Sequence, residues 1–173
     1  MRSRSAVALV LLLTLQLLTP AAVAATVADP DDVGGKLDLA TVTARKADAL
    51  APLRIRITTY ESWAARVLRA SGPNRVVVLF NVDADPEKEY RGVILRIGGD
   101  LVMLISGEGS TFEPLPVRHP NGHTLRTVVP GGPPPNPEGP VRIAARSRFF
   151  DEADCADGCL DRAPNGGWVV GSP

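Results

Sequence analysis

Between Leu53 and Tyr60 the chain reads LRIRITTY, with Leu53, Ile55 and Ile57 alternating with Arg54, Arg56 and Thr58. Period two is the spacing of a strand with one face in the core and the other in water, and no helix satisfies it. VRIAARSRF, from Val141, repeats the device: Val141, Ile143, Ala145 and Phe149 fall on one side, Arg142, Arg146 and Arg148 on the other. RVVVLF, from Arg75, is apolar on both faces, as a central strand covered on both sides would be. Gly98-Gly99 separates RGVILRI from DLVMLIS, and Asn121-Gly122 separates PLPVRH from HTLRTVV. Both pairs are hairpin signals, because tight turns between strands need positive φ. KLDLATVTA, from Lys36, supplies a further strand, for about eight in all. ESWAARVLR, residues 61–69, has helical character over one or two turns. Half-apolar sheets must bury their faces against each other, so the predicted fold is all-β, a small antiparallel β-sandwich with one short helical turn. PGGPPPNPEGP, residues 130–140, holds six prolines and cannot join a ladder. It is expected as an extended, stiff connection between strands.

Arg2 and Arg4 precede an apolar stretch, Ala6 to Leu18, and then Pro20 and the small residues Ala21 to Ala25. This is the pattern of a secretory signal peptide over residues 1–25, cut after Ala24 or Ala25, with a single β-sandwich domain over residues 26–173. The expected location is therefore extracellular, with the protein released or held non-covalently at a surface. Removing the leader leaves 148 of the 173 residues, enough for one domain's core. The charges balance at 19 basic against 19 acidic, which gives no global case for nucleic acid as a partner. No second apolar run follows to span a membrane.

FNVDADPEKEY, from Phe80, places Asn81, Asp83, Asp85 and Glu89 at the first, third, fifth and ninth positions of a calcium-binding loop of EF-hand type. Pro86 stands where such loops carry glycine, Gly92 stands where they carry a bidentate glutamate, and strands flank the segment. It is not an EF-hand. Two readings remain: a looser, weak calcium site at a strand end, or a charged turn that keeps the hairpin end soluble. Cys155 and Cys159 are the only cysteines and, in an oxidising setting, are expected to form a disulfide across a short loop. His119 and His123 bracket the Asn121-Gly122 turn and read as two solvated side chains at a hairpin tip. Arg54, Arg56, Arg142, Arg146 and Arg148 point outward on the strand pattern. They form either a basic face for a polyanion such as an acidic polysaccharide, or simply the wet side of a sandwich paired with neighbouring acids. No nucleophile elbow, metalloprotease helix, phosphate loop or dinucleotide turn is present, so no catalytic residues and no enzyme activity are expected. A hydrolase with an unfamiliar site would need a deep pocket with convergent polar groups.

The segments DPDDVGGKLDLATV from Asp29, LRIRITTYESW, VVVLFNVDAD, HPNGHTLRTVVP and CADGCLDRAP occur in an order that resembles a set of short secreted actinobacterial proteins of uncharacterised function. More distantly, the chain is similar to sandwich modules of the DOMON and family-nine carbohydrate-binding type, a likeness at the level of fold. The acidic loop of such modules often reads D-x-D-x-D-G, whereas Asn81 and Pro86 replace its first acid and its glycine here. The resemblance implies no catalytic residues. The function expected is that of a secreted, non-catalytic module that binds a ligand at the cell envelope or outside the cell. Calcium is its only cofactor in view, and a cell-wall or anionic polysaccharide its partner. The alternative is a structural or interaction protein of the envelope with no small ligand.

Overall fold

The computed structural model describes residues 24–83, 89–107, 110–111, 113–151 and 155–172. Nearly every period-two run becomes a strand. β1 (Ala25–Ala28), β2 (Leu39–Arg45) and β3 (Leu53–Thr59) are followed by a 3-10 turn (Ala65–Leu68). β4 (Arg75–Asn81), β5 (Tyr90–Ile97), β6 (Asp100–Gly107), β7 (Ser110–Thr111), β8 (Leu115–Arg118) and β9 (Thr124–Val129) come next. β10 (Val141–Asp151), β11 (Cys155–Ala163) and β12 (Val169–Gly171) end the series. The all-β expectation holds, with more strands than the pattern disclosed. β11, CADGCLDRA, and the four- and three-residue β1 and β12 carry too little apolar alternation to announce themselves.

All strand pairs are antiparallel, along the path β1-β2-β3-β9-β8-β6-β5-β4-β10-β11. β7 extends the edge of β6, and β12 pairs with the start of β10 beyond the end of β11. The path curls until its two ends meet: β12 packs against β1 and β2, and β10 and β11 also reach β2. The result is a barrel-like sandwich that is nearly closed, with a seam between the first strands and the last. Leu39, Val42 and Ile57 from one side of the curl and Phe80, Ile94, Met103 and Ile143 from the other fill a single core. Leu79 and Ala144, directly opposite each other on β4 and β10, are buried outside that core, which explains why β4 reads as apolar on both faces.

The turns follow their residues. Ile97 pairs with Asp100, so Gly98 and Gly99 alone make the β5–β6 turn, at φ of 60° and 109°. The Asn121-Gly122 hairpin is wider than a two-residue turn, because Arg118 pairs with Arg126. Its tip folds inward: Trp63 N donates to Gly122 O and Thr59 N to His123 O, both at 2.9 Å. His119 is therefore not a solvated tip residue. It is half-buried and stacks on the Trp63 ring at 4.0 Å between centroids, and its burial lowers its pKa.

The proline-rich segment is compact instead of extended. Asn136, fully buried, turns its amide towards the carbonyls of Ala51, Val129 and Pro130 at 3.1–3.2 Å, while Gly132 N donates to the Asn136 carbonyl. Lys46, 1 % exposed, donates to Pro137 O at 3.0 Å and Gly139 O at 2.8 Å. Within a segment too rich in proline to join a ladder, the carbonyls of Pro130, Pro137 and Gly139 find donors in these two side chains, and Asn136 ties the segment to Ala51 and Val129.

Candidate functional site

The seam between the chain's first and last strands gathers carboxylates. Asp29 directly follows β1, where Pro30 stops the ladder for want of an N–H, and its own amide still donates to Ala40 O at 2.9 Å. The following loop turns back at Gly35, which sits at φ 109°. A Cβ there would lie 2.8 Å from the Phe149 ring and 3.2 Å from Cys155 Sγ, so the loop can lie this close to β10 and β11 only with glycine. Asp38 N donates to Gly35 O at 3.1 Å, and β2 begins one residue later. Asp161, on β11, crosses the seam: its Oδ2 accepts from Leu39 N at 2.6 Å and its Oδ1 from Arg162 N at 2.5 Å.

Asp29, Asp32 and Asp161 each bring a carboxylate oxygen within 4.8 Å of the others, a group that can hold a metal ion. Asp29 and Asp161 are buried, and Asp32 is exposed. Asn165 braces the first two, donating from N to Asp29 Oδ1 at 3.2 Å and from Nδ2 to Asp32 Oδ2 at 2.9 Å. Asp29 Oδ2 is buried without a hydrogen-bond donor. Asp38 lies beside this group, 3 % exposed, and neither of its oxygens has a donor. It faces the carboxylates of Asp31 and Asp161. Among the described residues no lysine or arginine neutralises Asp29, Asp38 or Asp161.

The electrostatics follow. Burial, then the neighbouring acids Asp31 and Asp161, push the Asp38 carboxyl up to about 7. Burial, then the charge of Asp161, raises Asp29 to about 6. Tyr60, whose hydroxyl donates to Asp29 O at 2.5 Å, is pushed above the usual phenol range by desolvation and then by Asp31, Asp38, Asp29 and Asp32. An open groove of about 520 Å³ runs past the cluster, lined among others by Asp32, Asp161, Arg146, Leu160, Arg162 and Asn165. Leu160 is 69 % exposed along it.

The loop singled out by spacing is arranged differently. Asn81 is buried at the end of β4 and accepts from Arg142 Nη1 at 3.5 Å. Glu89 Oε2 accepts from Val82 N at 2.7 Å, and Glu89 N donates to Phe80 O at 3.1 Å, so this acid closes the neck of the β4–β5 connection. Burial and then Asp83, which lies alongside, raise the Glu89 carboxyl. Asp83 and Glu89 are thus brought together, Asn81 is turned to an arginine, and Asp85 lies outside the described residues.

Cys155 and Cys159 form the expected disulfide, with Cα atoms 5.2 Å apart. Cys155 is buried against Gly34 and Gly35, so the bridge braces the aspartate loop besides closing its own ring. The five arginines do not form one face. Arg54 and Arg56 lie on β3 and Arg142, Arg146 and Arg148 on β10, with five strands between them along the sheet path. On β10, Arg148 covers the Phe150 ring at 4.6 Å and Arg142 is committed to Asn81.

No family model, curated protein or solved structure matches this chain. Among the described residues no helix is long and apolar enough to cross a membrane. The disulfide is compatible with an extracellular setting.

Proposed function

We propose that the protein is a secreted, non-catalytic β-sandwich module of the cell exterior whose seam is clamped by calcium. Asp29, Asp32 and Asp161, whose oxygens already converge, are its ligands, and Asp38, facing Asp161, completes the set as the ion draws it in. The observation that carries this reading is Asp38, a carboxylate removed from water with no donor and no countercharge, facing other carboxylates. A buried anion so placed costs several kcal/mol unless a cation or a proton joins it. Calcium suits the site because it accepts about six to eight oxygens in irregular sets and favours carboxylates, whereas magnesium demands near-octahedral geometry and keeps its waters. The ligands come from the end of β1, the loop before β2 and from β11, so the ion joins parts of the chain that the ladder leaves unpaired.

Thermal unfolding of the purified protein in excess calcium and in chelator tests this. At a hundred times its dissociation constant, calcium adds about 2.7 kcal/mol, which raises the midpoint by roughly 5–10 °C for a chain of this size. Asp38→Asn should abolish that increment and stabilise the chelated protein, because it removes an unpaired buried charge. Overlaid curves for the unaltered protein would rule the clamp out. A calcium increment that survives Asp38→Asn but is lost in Asp83→Ala would move the ion to the β4–β5 connection.

A further inference from the structure

The five strands β1, β2, β3, β9 and β8 contain no aspartate, no glutamate and no aromatic residue, yet they carry Arg45, Arg54, Arg56, Arg118 and Arg126, all exposed. The ladder sets these arginines against one another. Arg45 is directly opposite Arg54, Arg56 opposite Arg126, and Arg126 opposite Arg118. Arg56, Arg126 and Arg118 therefore make a row of guanidinium groups across three adjacent strands, stepping by about 4.8 Å. Thr43 and then Thr26 continue the same row across β2 and β1. None of the five guanidinium groups has an ion pair or hydrogen bond among the described residues.

Directly opposed like charges weaken a sheet, and nothing in the packing of this one requires them. In a chain with as many acids as bases, their concentration on one face is a segregation of charge. An anionic partner would relieve the repulsion.

We infer that the outer face of β2, β3, β9 and β8 is a docking track for a carboxylated polysaccharide lying across the strands. Guanidinium forks grip carboxylates in two-point fashion, and the flanking threonine hydroxyls exchange hydrogen bonds with sugar hydroxyls. Single-stranded nucleic acid is disfavoured because the face has no aromatic side chain on which bases stack. A membrane surface is disfavoured because Val128 is the only large apolar side chain exposed on these strands. The track uses the outward face of β2, β3, β9 and β8, whereas the aspartate seam uses the loop before β2, and the track needs no cation.

The test is binding to polygalacturonate, in chelator and in calcium, with dextran, single-stranded DNA and phosphatidylglycerol vesicles as parallel arms. The expected result is retention on polygalacturonate but not dextran, weakened by salt and unchanged by chelator. Combined Arg56→Ser, Arg118→Ser and Arg126→Ser should weaken it by about ten- to a hundredfold, while Arg146→Ser with Arg148→Ser leaves it intact. Arg126→Ser alone, at the centre of the row, reads in the same direction if the triple variant does not fold. Unaltered affinity in the row variants, tighter binding to DNA or vesicles, or loss in chelator alone would each overturn the inference. The last outcome would place the ligand at the aspartate seam.

Discussion

Asp38 and Asp29 show what a few buried atoms do to a stability curve. Their folded pKa values, about 7 and about 6, stand above the unfolded carboxylate value of about 3.9. Without a cation the folded state therefore binds more protons than the unfolded one between these limits. The stability this gives is fully present below about pH 4 and is lost as the pH rises through 6 and 7. In chelator the unfolding midpoint should fall between pH 5.5 and 8. In excess calcium it should not fall, since the ion replaces the protons. His119 works the other way, because its lowered pKa favours the neutral ring, so the fall should be read as the difference between the unaltered protein and Asp38→Asn. An equal pH response in the two proteins would remove Asp38 as the titrating group. Of this site the sequence displayed only half. DPDDVGGKLD is dense in acids, but Asp161 is more than a hundred residues away and enters through the closure of the sheet. Spacing finds ligands within a loop, and it pointed to the β4–β5 connection, where Asp83 and Glu89 lie together and Asp85 falls outside the described residues.

At the scale of elements, local pattern was the better guide. The β3, β4 and β10 runs, the Gly98-Gly99 turn and the single helical turn were legible because each depends on neighbours a few residues apart. The proline-rich segment was legible as a connection but not in its shape, which is imposed by Asn136 and Lys46 from outside any repeat. Asn136→Ala should lower stability by about 2–4 kcal/mol, because it removes a fully buried amide whose two N–H groups are directed at the carbonyls of Ala51, Val129 and Pro130. Equilibrium urea unfolding measures this directly, and a loss under about 0.5 kcal/mol would show that water takes over those carbonyls. Lys46 belongs to the same arrangement: a buried ammonium whose pKa is lowered by desolvation and held up by Asp48 and Glu138.

Over the whole molecule, the ladder is continuous from β1 round to β11 and β12, and the seam is where no ladder crosses. A few side-chain contacts cross it instead, from Leu39 N to Asp161 and from Asn165 to Asp29 and Asp32, alongside the packing of β12 on β1 and β2. If calcium closes that gap, hydrogen exchange at the amides of β1 and of residues 36–41 should slow in calcium relative to chelator, while the β5–β6 hairpin exchanges at the same rate in both. Uniform slowing would point to global stabilisation without a clamp. The arginine track and the seam share β2, yet one needs its outward face and the other the loop before it, so either can be altered without touching the other. Because β1 lies against β12, the first and last described strands begin and end side by side. A domain whose ends meet in this way can be set into a surface loop of a host protein without prising the host's backbone apart, and its arginine face would then be displayed on that host as a ready-made module.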